Sequence, residues 1–158
     1  MGARRLSSAS SGDEYLSEAE FRAWHGALQF ANAAVRELDE ALSSEHGISV
    51  TEFDVLITLF NAPSHRLRMT ELAHAVVFTP SGLTHLVARL EKQGLVARVV
   101  DEHDRRSFFA ELTRAGQKCL RDARPTHNEV IRERLTRRLT AKQLDELGDI
   151  WERVERGR

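Results

Sequence analysis

Thr79-Pro80-Ser81-Gly82-Leu83-Thr84-His85-Leu86-Val87-Ala88-Arg89-Leu90-Glu91 is the stretch whose reading decides the fold. Thr79 offers an N-cap oxygen, Pro80 has the fixed φ that suits a first helical position, and Leu83, Leu86, Val87 and Leu90 recur at helical spacing. One face of this helix is therefore committed to a core. The other face carries Ser81, Thr84, His85, Ala88 and Arg89, short polar side chains with one long cation, a mix that can approach a nucleic-acid groove closely. Gly94 supplies the helix stop. Residues 95–100 and 107–112 then follow, rich in Val, Phe and Leu, on either side of the polar tip Asp101-Glu102-His103-Asp104-Arg105-Arg106, which is the pattern of a β-hairpin.

Outward from this centre the chain reads as helices. Thr70 opens a short one with Leu72, Ala73 and Val76 as its apolar positions, close enough to the helix at Thr79 to make a helix-turn-helix pair. Before it, Ser49 and Glu52 form a capping box that leads into Phe53, Leu56, Ile57 and Phe60, with a stop near Pro63. Earlier still, Ser17 and Glu20 repeat the box ahead of Phe21, Trp24, Leu28, Ala31, Val35, Leu38 and Leu42, ending near His46-Gly47. Downstream, Thr113 caps a helix expected to continue towards Leu139 with a kink at Pro125. Thr140 and Gln143 box the last helix, whose stripe is Leu144, Leu147, Ile150 or Trp151, and Val154.

The expected architecture is mainly α with a small β-wing: a winged helix-turn-helix flanked by long N- and C-terminal dimerisation helices. Its parts are a mobile tail at 1–14, an N-terminal dimerisation helix at 15–47, the winged region at 48–113 and C-terminal dimerisation helices at 114–158. The end stripes exceed what the small central module can cover. A homodimer would bury them and would present two helices to successive major-groove faces of a palindromic site.

Composition narrows the function. At 158 residues, with 30% charged and 41% hydrophobic side chains, the chain fits one soluble, helix-rich domain. Nothing in it resembles a membrane span or a signal-peptide core, so no membrane partner and a cytoplasmic location are expected. Leu6 stands where a myristoylation motif needs Ser or Thr. The single Cys119 rules out an internal disulfide and a multi-cysteine zinc site, and the pattern Leu112, Ala115, Cys119, Leu120, Ala123 favours a small core residue over the alternative of a redox sensor. The seven histidines are scattered along the chain without a carboxylate-rich ligand cluster, so neither a metal nor a cofactor is expected. There is no Gly-rich phosphate loop, nucleophile motif or paired-carboxylate arrangement, and the chain does not read as an enzyme. A net charge of −1 hides an uneven distribution: nine acids against two arginines over residues 14–54, but eight Lys and Arg against three acids over 114–138. The acidic segment should face away from DNA or lie against the basic one.

Met69-Thr70-Glu71-Leu72-Ala73, then residues 83–96, and above all Asp104-Arg105-Arg106 followed by Leu112-Thr113 and Gly116, resemble the MarR family of bacterial transcriptional regulators. The last group matches that family's wing signature, Asp-x-Arg, five residues, Leu-Thr, and the likeness covers nearly all of the chain after the tail. The resemblance implies a dimer shaped like an open triangle, with recognition helices in major grooves and wing tips reaching minor grooves. It also implies a repressor of nearby genes that releases double-stranded DNA when a small aromatic or phenolic effector binds.

On that reading Arg106 enters the minor groove, with Asp104 holding its guanidinium. Arg105 and His103 contact phosphate or stay solvated. Ser81 and Thr84 suit phosphate or base-edge hydrogen bonds, His85 a base, and Arg89 backbone or guanine, unless an acidic neighbour takes it. Effector-pocket candidates are Trp24, His25, Leu28, Phe53 and Ile57, although Trp24 also fits the apolar stripe as a core residue. Family members that respond to urate use a tryptophan on the first helix, an acid and arginines, and Trp24, Asp54 and Arg89 are loosely comparable. The alternative function is a winged-helix protein-interaction module without DNA readout.

Overall fold

Local capping sets most of the helix boundaries. In the computed structural model, which describes residues 15–76, 80–101 and 107–156 and omits the side chains of Pro80 and Ser81, the order is α1 (Glu18–His46), α2 (Val50–Asn61), β1 (Arg66–Arg68), α3 (Met69–Ala75), α4 (Pro80–Lys92), β2 (Val96–Val100), β3 (Phe108–Leu112), α5 (Arg114–Arg134) and α6 (Ala141–Arg156). Ser17, Ser49 and Thr140 each take part in the expected box: Glu20, Glu52 and Gln143 accept from the respective cap N–H at 2.7, 2.8 and 2.9 Å. Gly47 and Gly94 end α1 and α4 in the left-handed region, with φ of 68° and 73°, where a side chain would be strained. The expected Thr79 cap and the tail at 1–14 lie outside the described residues.

The chain divides into two units, Met1–Ala33 and Ala34–Arg158. Within the first, α1 carries Phe21, Trp24, Leu28 and Phe30 at 56%, 65%, 46% and 41% exposure. The core reading of Trp24 is thus corrected: in the single chain it is a surface residue, because a stripe buries only where something packs on it.

In the second unit the core gathers around α2. Phe53, Val55, Leu56 and Leu59 are all fully buried, along with Leu42 of α1, Leu72 of α3, Val87 and Leu90 of α4, and Ala123 of α5. The sequence pattern had offered only Phe53, Leu56, Ile57 and Phe60 as inward. Val55 and Leu59 join them because α2 packs against α5, α3 and the sheet, so more than one of its faces is covered. The sheet is three-stranded and antiparallel in the order β1-β3-β2, with Arg66 opposite Glu111 and Arg68 opposite Phe109. β1 escapes pattern reading because Arg-Leu-Arg shows no apolar alternation. It is held by pairing to β3 and by the guanidiniums of Arg66 and Arg68 over the Phe109 ring, 5.1 and 5.4 Å from its centroid.

Two further expectations need correction. α5 runs through Pro125 as one helix but stops at Arg134, and a 3-10 turn, Thr136–Arg138, replaces the expected run to Leu139. Arg138 Nε donates to the Glu133 carbonyl at 2.9 Å, which satisfies one of the end carbonyls of α5. On the same helix Ala115 is exposed and Cys119 is half-buried against the core. Desolvation pushes the Cys119 thiol above its ordinary value, so the unreactive thiolate-poor form prevails at neutral pH.

The start of α5 explains why a glycine stands at position 116. Thr113 Oγ accepts from the Gly116 N–H at 3.0 Å and donates to the Gly94 carbonyl at 2.8 Å, drawing α5 onto the α4–β2 junction. A Cβ on Gly116 would sit 2.1 Å from the Leu95 carbonyl oxygen and 2.6 Å from Leu112 Cδ1. Backbone cannot yield as a flexible side chain does. Gly116→Ala should therefore destabilise the fold by about 1–3 kcal/mol, the usual range for overpacking, which chemical denaturation would report as a lowered midpoint at unchanged slope.

Candidate nucleic-acid interface

Burial splits α4 in two. Leu83, Leu86, Val87 and Leu90 are at most 8% exposed, whereas Thr84, His85 and Arg89 are exposed and Ala88 is half-buried. α3 packs against α4 as the first member of the helix-turn-helix. Arg98 of β2 reaches back to α4, its Nη2 donating to the Thr84 carbonyl at 3.2 Å and its Nε lying 3.6 Å from Glu91. The hairpin is therefore tied to the helix beside it. Ser81's side chain and residues 102–106, which include His103, Asp104, Arg105 and Arg106, lie outside the described residues.

Arg89 is engaged within the protein. Its Nε donates to Glu52 Oε1 at 2.7 Å and its Nη2 to Ser49 Oγ at 3.3 Å. Glu52, only 2% exposed, also accepts from the Ser49 backbone N–H and hydroxyl. One carboxylate thus closes the α2 capping box and anchors the C-terminal end of α4. The acidic neighbour is Glu52 rather than Asp54, whose carboxyl is raised by desolvation, with His127 opposing the shift. Arg89→Ala should leave a buried carboxylate short of its charged partner and lower unfolding stability by about 1–3 kcal/mol. Thermal and denaturant melts of the DNA-free protein check this; an unaltered melt would restore Arg89 as a free groove contact.

At the wing root, the Asp101 N–H donates to the Ser107 carbonyl at 3.0 Å. The Asp101 side chain is 3% exposed and lies 2.6 Å from Arg68 Nη2. Arg68 also sets the start of α3, its backbone N–H donating to Glu71 at 2.9 Å. Sequence reading placed Asp101 in the polar tip and gave Arg68 no role. No local pattern joins two residues this far apart in the chain.

The effector candidates divide. Phe53 is a core residue stacked on His127, with ring centroids 4.3 Å apart, and Ile57 packs against the same core. Trp24, His25 and Leu28 are exposed on the first half of α1, where His25 stacks on Phe21. A groove of about 650 Å³ lies between the second half of α1 and α5, lined by Glu37, Ala41, Glu45, Pro125, Thr126, Glu129, Val130, Arg132 and Glu133. Arg134 pairs with Glu37 at 2.9 Å, and the Thr126 hydroxyl donates to Glu45 at 2.7 Å. The acidic stretch of α1 thus meets the basic α5. Among the described residues no three His, Cys, Asp or Glu side chains group as a metal site, and no helix is long and apolar enough to cross a membrane.

Comparison with known proteins gives concordant matches. The MarR family model matches residues 48–108. The crystal structure of Sco3205, a MarR family transcriptional regulator from Streptomyces coelicolor in complex with DNA, is similar with a TM-score of 0.85 and 37% identity, over 90% of this chain and 93% of that one. The transcriptional repressor MprA of Escherichia coli K12 is 31% identical over 104 residues, 66% of this chain. The HTH-type transcriptional repressor YetL of Bacillus subtilis strain 168 is 32% identical over 111 residues, 68% of this chain. The matches span 58% of MprA and 66% of YetL, less than two thirds of either curated relative.

Proposed function

The chain belongs to the MarR family, and on that premise we propose that it is a sequence-specific DNA-binding transcriptional regulator, acting in the cytoplasm as a homodimeric repressor on a palindromic operator. The observation that carries the reading is the split of α4: a fully packed apolar face, and a polar face with Thr84 and His85 exposed beside a hairpin. α4 is then the element that enters the major groove. Thr84, His85 and Ser81 are its contact residues, and His103, Asp104, Arg105 and Arg106 are those of the wing. Arg89, bonded to Glu52, ties the C-terminal end of α4 to α2. That Sco3205 was solved with DNA and that MprA and YetL are named repressors supports the same assignment.

Exposed apolar side chains support the homodimer. Phe21, Trp24, Leu28 and Val35 on α1 and Ile150, Trp151 and Val154 on α6 are each at least 45% exposed. Faces of this kind mark association surfaces. A small aromatic or phenolic effector is the proposed release signal. Trp24, His25 and Leu28 are the members of its candidate set that are exposed in the single chain, and Phe53 and Ile57 are the members that pack in the core.

Binding to the DNA upstream of the protein's own gene, followed across a salt series, tests the function. The expected result is a linear fall of log affinity with log salt, with a slope of about −0.9 per phosphate neutralised. Absence of binding, with partner proteins captured instead, would favour the protein-interaction module.

A further inference from the structure

We propose that Arg68 and Asp101 form a clamp that fixes the direction of the wing relative to the helix-turn-helix, making both positioning residues for DNA binding. The inference rests on the DNA-binding reading above. Arg68 belongs to three parts of the winged domain at once. Its backbone starts α3 and donates to Glu71, its guanidinium lies 5.4 Å from the Phe109 ring centroid on β3, and its Nη2 meets Asp101 at 2.6 Å where β2 ends.

Asp101 is the matching half. It is 3% exposed, while the Arg68 side chain keeps 43% of its exposure. Its backbone N–H donates to the Ser107 carbonyl and closes the hairpin at its root. A carboxylate with so little water around it favours a cation held in a fixed place, and replacing Arg68 takes away the charged partner that the structure sets 2.6 Å from it. Residues 102–106, which carry the wing signature, are attached at both ends to the pair Asp101 and Ser107. The clamp therefore holds the two residues, Asp101 and Ser107, between which that segment is carried, and α3 shares that setting because it begins at Arg68. A hairpin with a loose root would still fold, but it would present its tip over a wider range of angles, and a minor-groove contact tolerates little misplacement.

Charge makes the test sharp. Asp101→Asn removes a negative charge close to the proposed interface, so electrostatics alone predicts tighter DNA binding. The clamp predicts the opposite, a loss of operator affinity of roughly tenfold, within the range of coupled polar pairs. Arg68→Met should give a similar loss, and the double variant R68M/D101N should be little worse than either single one. Amide hydrogen exchange in β2 and β3, measured without DNA, should quicken by about tenfold in each folded variant while the global melt stays cooperative. Equal or tighter binding by folded D101N, additive losses in the double variant, or unchanged hairpin exchange would each overturn the clamp. If D101N fails to fold, R68M decides the matter from the half-exposed side of the pair. If the wild-type protein binds no operator, the DNA-binding reading fails, and hairpin exchange alone then decides whether the clamp exists.

Discussion

The doubly substituted variant Trp151→Glu, Val154→Glu should sediment as a monomer and lose operator affinity by about 10²- to 10⁴-fold, the range over which two linked binding events exceed one. Both positions lie on α6, at 47% and 59% exposure, so neither contributes to the core of the single chain. Glutamate is a good helix former, and α6 should persist. What the charges would prevent is closure of an apolar contact between copies, because a carboxylate buried there without a partner is strongly unfavourable. Each half-site would then be read by an untethered protomer. Analytical ultracentrifugation beside binding isotherms checks both halves of the expectation. A variant that remained dimeric would move the interface away from α6.

Arg106→Ala should weaken operator binding by about 1–3 kcal/mol, the range for a well-placed arginine contact, while dimerisation and melting stay unchanged. A narrow A·T-rich minor groove concentrates negative potential, and an arginine side chain at a hairpin tip can enter it where a shorter or neutral one gains nothing. Arg106→Lys should recover only part of the loss, since an ammonium lacks the planar fork. The salt slope should fall by about one phosphate's worth if the contact is to backbone alone, and base-composition preference should relax if the groove itself is read. Unchanged affinity at physiological salt would remove Arg106 from the interface and leave readout to α4.

Most of the architecture was legible in the residues, and particular cases show why. Ser17 with Glu20, Ser49 with Glu52 and Thr140 with Gln143 announce helix starts because cap and partner are three residues apart, so their geometry is independent of the rest of the fold. Leu83, Leu86, Val87 and Leu90 reveal the inward face of α4 for the same reason. Cases that went astray involve neighbours from elsewhere in the chain. Val55 and Leu59 are buried because several elements converge on α2, and β1 exists because β3 is there to pair with it. Ala115 fitted an apolar stripe on α5 but faces outward, since nothing packs over it.

The candidate site divides along the same line. Sequence by itself determined the order of the helices and the hairpin and the apolar and polar faces of α4, which follow from spacings within one helix or one hairpin. The wing signature at Asp104 and Arg106 was legible as a resemblance to the MarR family. Only the tertiary structure decided that Arg89 belongs to Glu52, that Arg68 and Asp101 meet at the wing root, and that a Cβ at position 116 has no room beside Leu95. Helix and strand periodicity are short-range properties of the backbone, whereas ion pairing and steric contact depend on separation through space, which the chain acquires only when its elements have packed.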